Sequence, residues 1–171
     1  MHVFLQGIRN IGKSTVILRT IELLLLRRPL MLGGLFTWNG GKDDPNVYMR
    51  PAGLGCEGEI YNLAKWNTQG GGLVCDTMVF EQVGARILEQ SKSADLIIMD
   101  ELGYLESNAP IFKQAVIDTI YGDIPVLGVL RLGDVPWHTD IKRYPNITLL
   151  DVNEENRDAL PQKLAEHILR G

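Results

Sequence analysis

Two short stretches carry residue types and spacings that do chemistry. The first is Gly7-Ile8-Arg9-Asn10-Ile11-Gly12-Lys13-Ser14, which fits G-x-x-x-x-G-K-[ST], the pattern of a phosphate-cradling loop. Gly7 and Gly12 let the backbone curl so that its N–H groups converge on phosphate oxygens. Lys13 is a compact cation with reach to β- and γ-phosphates, and the Ser14 hydroxyl is a hard oxygen donor suited to Mg²⁺. From Thr15 the chain reads as a helix whose N-terminus favours an anion. Arg9, inside the loop, either contacts phosphate or points to solvent.

The second stretch is Asp95-Leu96-Ile97-Ile98-Met99-Asp100-Glu101. An apolar strand ending in Asp is what holds the Mg²⁺ shell beside a phosphate loop, which assigns that role to Asp100. A carboxylate directly after it, Glu101, can orient and polarise a water for in-line attack on the γ-phosphate; otherwise it is a solvated acid or a salt-bridge partner. Arg131 follows another apolar strand, Pro125 to Leu130. If that strand lies between the loop strand and the Asp100 strand, Arg131 faces the γ-phosphate and can stabilise transition-state charge. The bland reading is a surface Arg or a partner for Asp134. His138 and His167 read as ordinary surface residues.

The elements that must position these groups follow in order. His2 to Gln6 reads as a buried strand and Thr15 to Leu26 as a helix, stopped at Arg27-Arg28-Pro29. Its leucine run leaves no fully polar face, which predicts packing on more than one side. Leu30 to Phe36 reads as a second strand, softened by Gly33-Gly34. From Thr37 to Gly72 turn residues crowd the chain (Asn39-Gly40-Gly41, Asp43-Asp44-Pro45-Asn46, Gly53-Leu54-Gly55, Gly70-Gly71-Gly72) among Trp38, Tyr48, Tyr61 and Trp66. That density predicts hairpins or a flap, with Asn39-Gly40-Gly41 the best turn. Its aromatics either stack on a base, as in a lid or acceptor region, or simply cover the sheet.

Leu73-Val74-Cys75 reads as a strand, and Asp76 caps a helix with Val79, Phe80, Val83, Ile87 and Leu88 at helical spacing. Ser107 and Pro110 open another helix, and Asn146 to Leu150 is a further strand. The segment before it, with Pro136, Trp137 and Pro145, reads as irregular. A last helix begins between Asn153 and Pro161 and packs through Leu160, Leu164, Ile168 and Leu169. Strands alternating with helices give an α/β architecture with a mainly parallel sheet, in one domain spanning residues 1–171.

Composition narrows the classes. A formal net charge of −4 argues against a general nucleic-acid surface. Cys56 and Cys75 form no C-x-x-C pair and read as reduced thiols, and no zinc spacing joins them to His2, His138 or His167. No stretch is apolar for long enough to span a bilayer and no secretory signal is visible, which predicts a cytoplasmic protein.

Taken together, Gly7 to Ser14, Gly33-Gly34-Leu35-Phe36-Thr37, Asp95 to Gly103 and Val152-Asn153-Glu154-Glu155-Asn156-Arg157-Asp158 resemble the nucleoside-triphosphatase family of the thermophile and cancer-related type. The likeness runs from Val3 to about Leu169; Met99-Asp100-Glu101-Leu102-Gly103 with Asn156-Arg157-Asp158 is its specific part. It implies a three-layer, RecA-like P-loop NTPase fold and Mg²⁺-dependent hydrolysis of several nucleoside triphosphates, ATP and GTP among them, with slow turnover and weak base discrimination. Carried over by position, Gly7, Ile8, Arg9, Asn10, Ile11, Gly12, Lys13, Ser14 and Thr15 bind phosphates. Ser14 and Asp100 serve the metal and Glu101 activates water. Asn156 and Arg157 match the family's Asn-Arg pair, which suits the base or ribose edge or else an internal salt bridge. The run Thr37 to Pro45 departs from the family pattern, and Arg131 stands where His is common.

Two other readings share these residues. A small nucleoside or nucleotide kinase would use the same loop, but the 37–72 stretch holds only Arg50, Lys42 and Lys65 to shield a transferring phosphoryl group. A nucleotide-timed switch would bind a macromolecular partner through that stretch.

Overall fold

The computed structural model describes residues 2–53, 55–56 and 58–170; Leu54, in one of the expected turns, lies outside them. Eight strands form one sheet: β1 (His2–Gln6), β2 (Leu32–Asn39), β3 (Val47–Pro51), β4 (Tyr61–Asn67), β5 (Gly72–Cys75), β6 (Leu96–Leu102), β7 (Val126–Leu130) and β8 (Ile147–Asp151). Their order is β5-β4-β3-β2-β6-β7-β1-β8. The run β2-β6-β7-β1-β8 is parallel, and β3, β4 and β5 add an antiparallel meander to its edge.

Helices cover both faces of the parallel part. Helices α1 (Lys13–Leu25) and α5 (Leu160–Arg170) lie on one face, where Val16, Ile17, Leu24, Leu164 and Ile168 pack against Val3, Leu5, Ile98 and Val129. On the other, α2 (Ala85–Gln90), α3 (Pro110–Ile120) and the short α4 (His138–Lys142) close over Phe4, Ile97, Met99 and Leu130. Neighbours Ile97 and Ile98 thus point into opposite layers, so β6 needs apolar residues at every position. This is the three-layer α/β arrangement expected from the sequence.

Several details differ from the expectation. The turn-rich stretch after Phe36 forms the expected hairpins, but as a continuation of the main sheet. β2 continues through Trp38 and Asn39, with Trp38 opposite Tyr48 and Asn39 opposite Val47. The turn is therefore wider than Asn39-Gly40-Gly41 and closes between Gly40 and Asn46 at 2.9 Å. Cross-strand aromatic pairing outweighs the local Asn-Gly signal. Gly33 and Gly34 do not soften the strand either. At Gly34 φ is +85°, and a Cβ there would collide with the Ile98 carbonyl. Glycine lets β2 lie flat on β6 while its N–H donates to Ser91 Oγ at 2.7 Å.

The helix after Asp76 starts with an N–H from Met78 to Asp76 Oδ1 (3.2 Å), but Val79–Gly84 is wound as a π-helix before α2. Phe80 and Gly84 both meet Phe112 of α3, so packing rather than 3.6-residue spacing sets the winding. The segment before β8 contains α4, and His138 is buried rather than on the surface, 1% exposed and edge-on to Trp137. Burial lowers its pKa to about 4. Helix α1 buries one side only: Leu18, Leu25 and Leu26 stay exposed because no further layer covers them, and Leu169 of α5 is exposed as well.

Candidate functional site

The phosphate loop joins β1 to α1. Gly12, at φ 107°, stands immediately before α1 with no side-chain cap, which leaves the first helical N–H groups directed into the cleft. Gly7 is pressed against the chain just after β8: a Cβ there would lie 2.7 Å from the Val152 carbonyl. Lys13 is buried, and its Nζ donates to the Gly7 and Ile8 carbonyls at 3.0 Å each. An ammonium group has three donors, so one direction remains for a ligand while the other two hold the cation in place.

Asp100 sits at the end of β6, 2% exposed, and the Ser14 hydroxyl hydrogen-bonds its carboxylate. Burial raises its pKa to about 7, and the Glu101 charge adds to the rise. Ser14 and Lys13 work against it. A carboxylate held at this cost beside a hydroxyl and a lysine is a fitting donor pair for a hard divalent cation, whose charge would offset the desolvation. No cluster of three His, Cys, Asp or Glu side chains capable of holding a metal occurs among the described residues.

The strand order meets the condition set for Arg131. β7 lies between β6 and β1, so Arg131 emerges beside Glu101, with Nη1 4.0 Å from Glu101 Oε1. Its guanidinium stands over the Tyr104 ring at 5.4 Å; Asp134 is not its partner. With side chains 52% and 33% exposed, the Arg131–Glu101 pair is wet and weak, which leaves the guanidinium able to move to a phosphate. The Glu101 backbone is fixed separately, its N–H donating to Thr37 Oγ1 at 2.9 Å.

Residues that spacing did not reveal complete this wall. Glu106 is 2% exposed and accepts the Gly103 N–H at 2.5 Å, while Trp137 Nε1 donates to the Gly103 carbonyl at 2.9 Å. Gly103 packs on the stem of Arg131, where a Cβ would stand 3.1 Å from Arg131 Cδ. Glu106 and Trp137 therefore brace the loop behind Arg131. Burial raises the Glu106 pKa to about 7, opposed chiefly by the Gly103 N–H. A buried acid six residues after Asp100, Gly103 between them, is the only trace of this brace in the sequence.

Across the loop, Arg157 Nη1 donates to the Ile11 carbonyl at 3.4 Å and forms no ion pair among the described residues. Asn156 Nδ2 donates to the Asp151 carbonyl at 2.8 Å and its Oδ1 accepts the Asn153 N–H at 3.0 Å, so both polar atoms already shape the β8–α5 connection. The loop residues Gly7, Ile8, Arg9, Asn10, Gly12, Lys13, Ser14 and Thr15 share one cleft of about 1130 Å³ with Asp100, Glu101 and Arg131. Ile11 is buried beneath it, and Asn156 and Arg157 stand outside its lining.

A phosphate loop on a parallel sheet, with the Asp-bearing strand two places along, defines a P-loop NTPase. Known proteins agree with that class. The NTPase family profile matches residues 2–165, and the chain belongs to that family. It is 30% identical over 168 residues to the nucleoside-triphosphatase THEP1 of Methanosarcina barkeri, covering 96% of this chain and 95% of that protein. With the nucleoside-triphosphatase THEP1 of Thermofilum pendens it shares 31% identity over 176 residues, covering 96% and 93%. Among solved structures, THEP1 from the hyperthermophile Aquifex aeolicus superposes with a TM-score of 0.81 at 20% identity, covering 98% of this chain and 99% of that one. A human cancer-related nucleoside triphosphatase gives 0.76 at 22% identity, covering 99% and 98%. These structures share the fold. Among the described residues no helix is long and apolar enough to cross a membrane.

Proposed function

We propose that residues 1–171 act as one domain that hydrolyses nucleoside 5′-triphosphates to the diphosphate and phosphate, with Mg²⁺ bound, in the cytoplasm. The observation that carries this reading is the convergence of Lys13, Asp100, Glu101 and Arg131 on one end of the cleft. Loop N–H groups and Lys13 hold the phosphates, and Ser14 with Asp100 would hold the metal. Bound there, Mg²⁺ would neutralise charge on the β- and γ-phosphate oxygens. Glu101 orients a water in line with the γ-phosphorus and accepts its proton. Arg131 leaves Glu101 for the γ-phosphate as negative charge shifts toward the leaving oxygen.

Two features support broad base use and slow turnover. Asn156 spends both polar atoms on backbone, which leaves little side-chain reading of a base edge. Arg131 stays half in water until ligand arrives, so its contribution is less preorganised than that of a buried guanidinium. A kinase reading gains nothing from Arg50, which lies 4.8 Å over the Phe36 ring and does not line the cleft. Phosphate release should proceed from ATP, GTP, CTP and UTP within about tenfold of one another, and EDTA should stop it. Release that survives EDTA, or that is confined to one base, contradicts the proposal.

A further inference from the structure

The cleft extends beyond the phosphate loop on the β2 side of the sheet. Lys13, Asp100, Glu101 and Arg131 mark the γ-phosphate end, at the ends of β6 and β7, and the phosphate loop leads from there toward the β1–β8 side of the sheet. A triphosphate ending at Glu101 therefore carries its nucleoside away from β2. Yet the cavity continues past Glu101 in the opposite direction, across Thr37 to Trp38, Lys42, Val47 and Leu73.

We infer that this far end is a second ligand subsite, for a planar aromatic ring bearing an anionic group, of which a nucleoside monophosphate is the fitting type. The inference rests on the γ-phosphate lying at Glu101, as proposed above. Trp38 supplies the ring surface, and its cross-strand pairing holds it in place. It stacks on Tyr48 with centroids 5.8 Å apart and planes 27° from parallel, and the Tyr48 hydroxyl donates to Asp44 Oδ2 at 2.7 Å. Buried Val47 and half-exposed Leu73 line the same end, giving an apolar wall for a ring edge. Lys42, four residues after Trp38, lines the same cleft and forms no ion pair among the described residues. The anchor of this wall is shared with the chemistry: Thr37, one residue before Trp38, accepts the Glu101 N–H. A ligand stacked on Trp38 thus sits next to the group that positions the attacking water.

The test is calorimetric titration of AMP into the protein already saturated with Mg²⁺ and the non-hydrolysable triphosphate AMP-PNP, so that the phosphate loop is filled. Saturable AMP binding is expected. Trp38→Ala should weaken it by about tenfold or more, as loss of a base-stacking platform does, and Trp38→Phe should recover most of it. Lys42→Ala, at an exposed position that folding does not need, should weaken it about threefold. The affinity for AMP-PNP should stay within about twofold in all three variants. Absence of saturable AMP heat up to roughly 5 mM overturns the inference. So does a Trp38→Ala variant that loses AMP-PNP as much as AMP, because the triphosphate's own base would then occupy this end. Failure of AMP-PNP to bind the wild type overturns both this inference and the nucleotide reading beneath it.

Discussion

The parallel and antiparallel halves of the sheet solve different problems. In the parallel half β1, β6 and β7 are covered on both faces, and the chemistry stands near the strand ends: Lys13 and Asp100 are buried, with Glu101 and Arg131 next to them. Burial is what makes these groups useful, since low dielectric strengthens their fields on a phosphate and keeps Asp100 primed to accept a cation. In the antiparallel half the outer strands are wet. Trp66 of β4 and Leu73 and Val74 of β5 are exposed, and among the described residues the turns carry no buried charge. A rigid half thus holds the reacting groups while a thinner half bounds the cleft.

Predictions that break this division run from the rigid half outward. Lys13→Ala should lower kcat/KM for phosphate release by roughly 10²–10³-fold, the range for losing one preorganised donor; steady-state kinetics on ATP reads it. Ile98→Ala should cost about 2–5 kcal/mol in urea unfolding, because Ile98 is fully buried between β6 and the α1–α5 layer. Arg131→Ala should lower kcat by roughly 10- to 100-fold, less than a buried donor, because half its side chain is solvated. By contrast, Val74→Thr on the exposed edge strand should change stability by less than about 0.5 kcal/mol. An equal loss at Val74 and Ile98 would erase the distinction between the halves.

The buried acids sharpen the same comparison through pH. Glu106 in the native state holds its proton up to about pH 7, whereas the unfolded chain releases it near 4.5. The native state then binds more protons across that interval, so stability falls as pH rises through it. Relative to Glu106→Gln, which keeps an acceptor for the Gly103 N–H, the wild type should lose stability from about pH 4.5 to about 7. Asp100, raised to about 7, acts in the same direction in the protein without metal. His138, lowered to about 4, acts in the opposite sense, costing stability as pH falls below its ordinary 6.5. Unfolding curves of the two proteins at several pH values isolate the Glu106 part, and a difference that does not vary with pH contradicts its burial.

Much of the parallel half is legible in the sequence because each reacting residue is tied to a local signal. Gly7 to Ser14 must form a turn between a strand and a helix, and the four apolar residues before Asp100, Leu96 to Met99, force a doubly covered strand. The place of Arg131 needs only the strand order in addition. What stays hidden depends on contacts between distant segments. The Thr37–Glu101 and Trp137–Gly103 hydrogen bonds join residues 64 and 34 positions apart, and the burial of Glu106 and His138 places polar types inside without a motif. The leucines of α1 mislead for the converse reason: an all-round apolar helix signals two covering layers, but the chain supplies one. In the antiparallel half, pairing of Trp38 with Tyr48 sets the turn, and no dipeptide announces that.

The central claim is that Glu101 activates the attacking water. It is tested most directly by single-turnover phosphate release from Mg²⁺-ATP with wild type and Glu101→Gln, alongside ATP affinity measured by equilibrium binding. Glutamine preserves the shape and cannot accept the proton, so release should fall by roughly 10²–10⁴-fold while affinity stays within about threefold. Equal release rates in the two proteins would contradict the account.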